Sequence, residues 1–157
     1  MDTVILGLGN ELLADEGVGV HAVRRLQLEG LPGTVTAVEV GTAVLDALPV
    51  FESAGRIIVI DAMRGGGLPG TVYKIQLADC SGSAQIASMH GFDIFRVLAL
   101  AGRVEAVPTT VFGVEPKTID WSLDLSPCVT ASLPHLLEAV RQESGREINT
   151  SISRNQR

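Results

Sequence analysis

Three residues carry the chemistry that can be read from this chain: Glu16, Asp61 and His90. Glu16 follows the apolar run Thr3–Leu8 across the glycine turn Gly7-Leu8-Gly9. Asp61 closes the apolar run Arg56–Ile60. His90 stands where a later helix opens, behind Ser88. Two carboxylates and an imidazole make a three-ligand metal set with an open position. A histidine at a helix N-terminus also resists protonation, because the positive end of the dipole disfavours imidazolium. Each residue has a structural alternative. Asp15 and Glu16 can cap a helix, Asp61 can cap a loop, and His90 can be a structural histidine. The placement of all three at one edge of a sheet, the carboxyl ends of parallel strands, favours a site.

The glycines around the acids invite a phosphate reading, and the charges oppose it. Gly7-Leu8-Gly9 follows a strand, but the third glycine of a dinucleotide fingerprint is Leu12. Gly17-Val18-Gly19-Val20-His21-Ala22 has the spacing, with Glu39 about 20 residues on, yet it follows two carboxylates and no strand. Phosphate would compete with Asp15 and Glu16 for one helix terminus. No lysine follows either run in P-loop fashion. The serines lack a nucleophile elbow, H-E-x-x-H is absent, and neither Cys80 nor Cys128 has an activating context. His21 and His135 have no acidic neighbour at ligand spacing. Hydrolysis here must run through carboxylates, a metal, or both.

The elements that position these residues alternate between strand and helix. Strands are expected at Thr3–Leu8, Gly33–Val40, Arg56–Asp61, Thr71–Leu77 and Val107–Val114. Helices are expected over Glu16–Leu28, after an N-cap at Thr42 (shortened or kinked by Pro49), and after Ser88. A closing helical region is capped by Ser126 with Pro127 at its first position, and Pro134 is expected to break it. The short glycine-rich link from Asp61 to strand four is too short for a parallel crossover, so strand four should run antiparallel to strand three. Ala78–Ala87, about ten residues and roughly 33 Å when extended, can then climb back to the carboxyl edge. The expected fold is one three-layer α/β/α domain, residues 1–145, with a five-stranded, mostly parallel but mixed twisted sheet. A polar tail, 146–157, is expected to be disordered.

The 157 residues suit one domain with a full-sized core. Net charge is −6. Arg146, Arg154 and Arg157 against Glu147 give the tail +2, which leaves −8 on the body. That acidity argues against nucleic acid as a partner. No apolar run is long enough to span a membrane, the start Met1-Asp2 lacks a basic n-region, and there is no C-x-x-C. A cytoplasmic protein is the expectation.

The residues also resemble a known family. Gly9-Asn10-x-Leu12-x-x-Asp15-Glu16-Gly17-x-Gly19 is similar to the signature of nickel–iron hydrogenase maturation endopeptidases. Gly41-Thr42, Ile60-Asp61-Ala62, Ser88-x-His90, Gly113-Val114-x-Pro116 and Leu125-Ser126-Pro127-x-Val129 follow in order, so the likeness covers about residues 3 to 142. It implies a cytoplasmic peptidase of aspartic type. Such a peptidase removes the C-terminal extension of a hydrogenase large-subunit precursor once nickel is in place. It implies that Glu16, Asp61 and His90 meet a divalent metal, with the nickel carried by the substrate, although another divalent ion could occupy the site. Gly9, Asn10, Asp15, Gly41 and Thr42 are then supporting cleft residues, and Asp61 or Glu16 is the acid–base group. A non-cleaving nickel-sensing module, a nucleotide-binding α/β protein and a small-molecule hydrolase remain as alternatives.

Overall fold

Apolar alternation builds the centre of the molecule. In the computed structural model, which describes residues 2–80, 102 and 106–146, five strands form one sheet: β1 (Thr3–Leu8), β2 (Val35–Gly41), β3 (Arg56–Ala62), β4 (Val72–Gln76) and β5 (Thr109–Val114). Their spatial order is β2-β1-β3-β5-β4. β1 pairs in parallel with β2 and β3, and β3 pairs in parallel with β5. Successive side chains of a strand point to opposite faces. Val4, Leu6 and Leu8 of β1 therefore join Ile57, Val59 and Val111 under α2 (Leu48–Ser53) and its Phe51. Ile5, Ile58, Ile60 and Phe112 face the other way. There they pack on α1 (Val18–Glu29) and α3 (Pro127–Ser144) through Val23, Leu26, Leu136 and Val140. The result is the expected three-layer arrangement of a mixed, mostly parallel sheet.

Strand four does run antiparallel to β3, but the two are not neighbours. β5 lies between them and pairs with β4, matching Val72 to Val114 and Gln76 to Thr110. β4 is thus the sheet edge, and its half-buried residues fit the one polar face read from its sequence.

Four local expectations are corrected. The first helix does not begin at Glu16: Ala14–Gly17 form a 3-10 turn and α1 starts at Val18, with Gly17 as its N-cap. Thr42 caps nothing, since the turn Val44–Ala47 and α2 have Ala43 and Ala47 at their N-caps and no side-chain cap. Pro49 does what was expected and confines α2 to six residues. Ser126 is the N-cap of α3 with Pro127 in its first turn, but its hydroxyl is directed to Asp15, not to the helix amides. Pro134 does not break α3, which continues to Ser144. Val129 before the proline and Leu136, Leu137 and Val140 after it are all buried against the sheet. That packing holds the helix through one lost hydrogen bond. The expected helix after Ser88 and the tail beyond Arg146 lie outside the described residues.

Glu143 ties the far end of α3 to the edge strand. It is buried, accepts from Thr110 Oγ1 at 3.1 Å, and pairs with Lys74 Nζ at 2.6 Å and more loosely with Arg146. Burial pushes its carboxyl pKa up. The bonds from Lys74 and Thr110 and the nearby charges outweigh burial and hold it below the usual glutamate value. A depressed folded pKa gives stability that is present above the ordinary value and is lost as pH falls through the lowered one. Thermal melts from neutral pH down to about pH 3 should show the Glu143→Gln variant, less stable at neutrality by about 2 kcal/mol, converging on the wild type. A constant gap between the two would remove Glu143 from the acid transition.

Candidate active site

Helix α1 presses directly onto the strand ends, and the glycines make this possible. A Cβ on Gly19 would lie 2.2 Å from the Ile60 carbonyl oxygen and 2.4 Å from that of Leu8, and one on Gly7 would lie 2.3 Å from the Gly19 oxygen. The glycine run read above as a phosphate candidate therefore serves close helix–sheet packing. Its effect is to bring the 3-10 turn bearing Glu16 to the carboxyl ends of β1 and β3.

Asp61 is the penultimate residue of β3 and is fully buried, at 0% exposure. Its Oδ1 accepts the Ala62 amide at 2.8 Å. Glu16 is also buried, at 7%. Gly9 (φ +111°) brings the two together. A Cβ there would stand 1.9 Å from the Glu16 carbonyl oxygen and 3.5 Å from Asp61 Oδ1, so one point beside Gly9 lies within 4 Å of both residues. The amide of Gly9 is held by the Gly41 carbonyl at 3.0 Å, which brings the end of β2 against the same loop. Beside this lies a cleft of about 340 Å³, walled by Gly9, Asn10, Glu11 and Leu12 on one side and by Glu39 to Thr42 on the other. Asn10 Oδ1 accepts the Leu12 amide and shapes the turn. Gly9, Asn10, Gly41 and Thr42 are thus brought together along this cleft. The cleft adjoins Glu16 and Asp61 and is not lined by them.

Asp15 has a different part from the capping role weighed for it. At 1% exposure its carboxylate accepts the amides of Lys117 and Thr118, both at 2.9 Å, and the amide and hydroxyl of Ser126, both at 2.7 Å. It fastens the loop after β5 to the Glu16 turn. A lone acid beside another in sequence gives no sign of partners more than a hundred positions away. Arg24 was also missed. It donates to Glu11 at 2.6 Å and to Glu39 at 2.9 Å, joining α1, the β1 loop and β2 along the cleft. The Arg24 bond holds the Glu11 carboxyl below its usual value, and the two acids raise the guanidinium further above its own. Its place on the helix face toward the strand ends was the available signal.

His90 lies outside the described residues, so the third member of the trio is not placed. Among the described residues no three His, Cys, Asp or Glu side chains stand together as a metal set. His21 and His135 lie on α1 and α3, away from any such set, and Cys128 is a free thiol. The carboxylates of Glu16 and Asp61 supply hard oxygen donors, which suit a divalent ion shared with imidazole.

The model of the hydrogenase maturation protease family matches residues 20–143. The chain belongs to that family. Relatives of this maturation protease include a hydrogenase expression/formation protein, HupD, of Rhodobacter capsulatus, 34% identical over 146 residues, covering 88% of this chain and 70% of the relative. The hydrogenase 2 maturation protease of Escherichia coli is 30% identical over 155 residues, covering 94% of each chain. Among solved structures, the [NiFe] hydrogenase maturation protease HybD from Thermococcus kodakarensis superposes with a TM-score of 0.78 at 28% identity, covering 92% of this chain and 99% of that one. The Escherichia coli maturating endopeptidase HybD gives 0.77 at 29%, covering 92% and 94%. As a maturation protease the chain is a hydrolase of peptide bonds. No helix among its described residues is long and apolar enough to cross a membrane.

Proposed function

We propose that this maturation protease removes the C-terminal extension of a nickel–iron hydrogenase large-subunit precursor after nickel insertion. In this reading the nickel arrives as part of the substrate, and the enzyme works in the cytoplasm. The family match supports the processing reaction. The observation that supports the site assignment is that the main chain of buried Glu16 and the carboxylate of buried Asp61 lie on either side of Gly9 at the strand ends.

The residues divide the work as follows. Glu16, Asp61 and His90 receive the precursor's metal, which fixes the scissile bond relative to the enzyme. Positioning of this kind contributes several kcal/mol of barrier reduction. Asp61, or Glu16, then takes the proton of the attacking water as its oxygen adds to the carbonyl, and returns it to the departing amine. Metal polarisation of the water is the competing route, and it leaves the carboxylates as ligands only. Gly9, by lacking a side chain, lets the Glu16 turn pack against the end of β1 beside Asp61.

Incubating the enzyme with its cognate precursor and following the precursor's mass tests the reading. One C-terminal fragment should be lost. A precursor that binds and keeps its extension would make the protein a non-cleaving checkpoint, and turnover of small molecules alone would replace the endopeptidase with another hydrolase.

A further inference from the structure

Beside the acids lies a surface the reaction itself does not use. Trp121, the chain's one tryptophan, is 77% exposed, Leu123 is 62% exposed and Leu12 is 49% exposed. They belong to one rigid patch. Leu12 O accepts the Ser122 amide at 3.0 Å, Ser122 O accepts the Ala14 amide at 2.9 Å, and Leu13 and Ser122 form a parallel bridge. The Asp15 carboxylate pins both ends of the Trp121 loop, at Lys117–Thr118 and at Ser126. Large apolar side chains on a loop this firmly held, and out in solvent, add nothing to folding, whereas rigid apolar patches of this kind mark docking sites.

We propose that Leu12, Trp121 and Leu123 form the surface on which the large-subunit precursor docks, through an apolar segment bordered by basic residues. This rests on the reading of the chain as a precursor-processing endopeptidase and names where the substrate is held. Continuity with the cleft argues for the substrate. Leu12 is both part of the patch and a wall of the cleft, four residues before Glu16 in the same loop. Charge argues for a basic rim on the partner and against a second copy of this chain. Asp120 and Asp124 bracket the apolar pair, with Lys117 the loop's one cation. A two-fold contact between copies would gather two sets of these acids, with one lysine each, into a single interface. Three apolar side chains are also far short of the roughly 800 Å² per partner of a standard stable interface, which suits an enzyme that must release its product.

The test is steady-state cleavage of nickel-loaded precursor by wild type and by the double variant Trp121→Ser/Leu123→Ser. Both substitutions are at exposed positions, and equal melting temperatures confirm an intact fold. The docking surface predicts a KM raised about tenfold or more with kcat within about twofold, because uniform binding is lost and the chemistry is not. An unchanged KM overturns the assignment and leaves the endopeptidase standing. So does a wild-type enzyme that is dimeric by sedimentation and becomes monomeric in the variant, since a second copy would then cover the patch. A wild type that cleaves no cognate precursor overturns the functional reading, and the docking assignment with it.

Discussion

Asp61→Asn should fold normally and cleave precursor at least about 10³-fold more slowly than wild type. The amide matches the carboxylate in shape, and its Oδ1 still accepts the Ala62 amide that Asp61 Oδ1 now takes at 2.8 Å. The side chain is fully buried, so removing its charge does not weaken the fold through lost solvation. Under the proposed reaction, what is lost is a proton acceptor and an anionic ligand at the point where β3, Gly9 and the Glu16 turn converge. Cleavage rates measured beside thermal melts separate the two effects. A variant with wild-type cleavage would remove Asp61 from the active site, and one that is both inactive and unfolded would make its role structural.

The largest stability effect is expected at Asp15. Asp15→Ala removes the acceptor for three backbone amides and one hydroxyl, at Lys117, Thr118 and Ser126. A buried donor left without a partner costs roughly 1–3 kcal/mol. Water reaches some of these amides once the loop opens, so the sum should come to about 3–5 kcal/mol in urea unfolding at neutral pH. Asp15→Asn should fall between, because an amide nitrogen in place of Oδ1 cannot accept the Ser126 amide, while the remaining oxygen still serves Lys117, Thr118 and the Ser126 hydroxyl. Cleavage should fall in both, since the same loop carries Trp121 and is bonded to the turn bearing Glu16. A loss under about 1 kcal/mol for the alanine variant would show that the loop is held by other contacts.

The sequence made β1, β3 and β5 legible because they are short apolar runs buried on both faces, and β4 because it alternates as a half-exposed edge; all five strands recur at nearly the expected bounds. Loop length also foretold the reversed direction of β4. It said nothing of strand order, because where β5 inserts depends on side-chain packing between layers, not on the chain joining β3 to β4. Thr42 stands just ahead of the N-caps Ala43 and Ala47 and caps neither turn, whereas Ser126 does occupy the N-cap of α3 but turns its hydroxyl to the buried Asp15 carboxylate, a stronger acceptor than its local partners. Pro134 was given too much weight because helix-breaking is a local cost and the burial of Val129, Leu136 and Val140 is a tertiary gain.

At the site, Glu16 and Asp61 were legible from their positions after apolar strands, and Gly9 and Gly41 from the turns that follow them. The role of Asp15 was not, since all the hydrogen-bond donors to its carboxylate lie more than a hundred residues away. Nor was the Arg24 bridge between Glu11 and Glu39, whose ends come from three separate elements.

The most direct test of the account compares nickel-loaded with nickel-free large-subunit precursor, each incubated with the wild-type enzyme and with Asp61→Asn, by intact mass. The account predicts loss of a C-terminal fragment only from the nickel-loaded precursor and only with the wild type. Equal cleavage of the nickel-free form, or cleavage undiminished in Asp61→Asn, would contradict it.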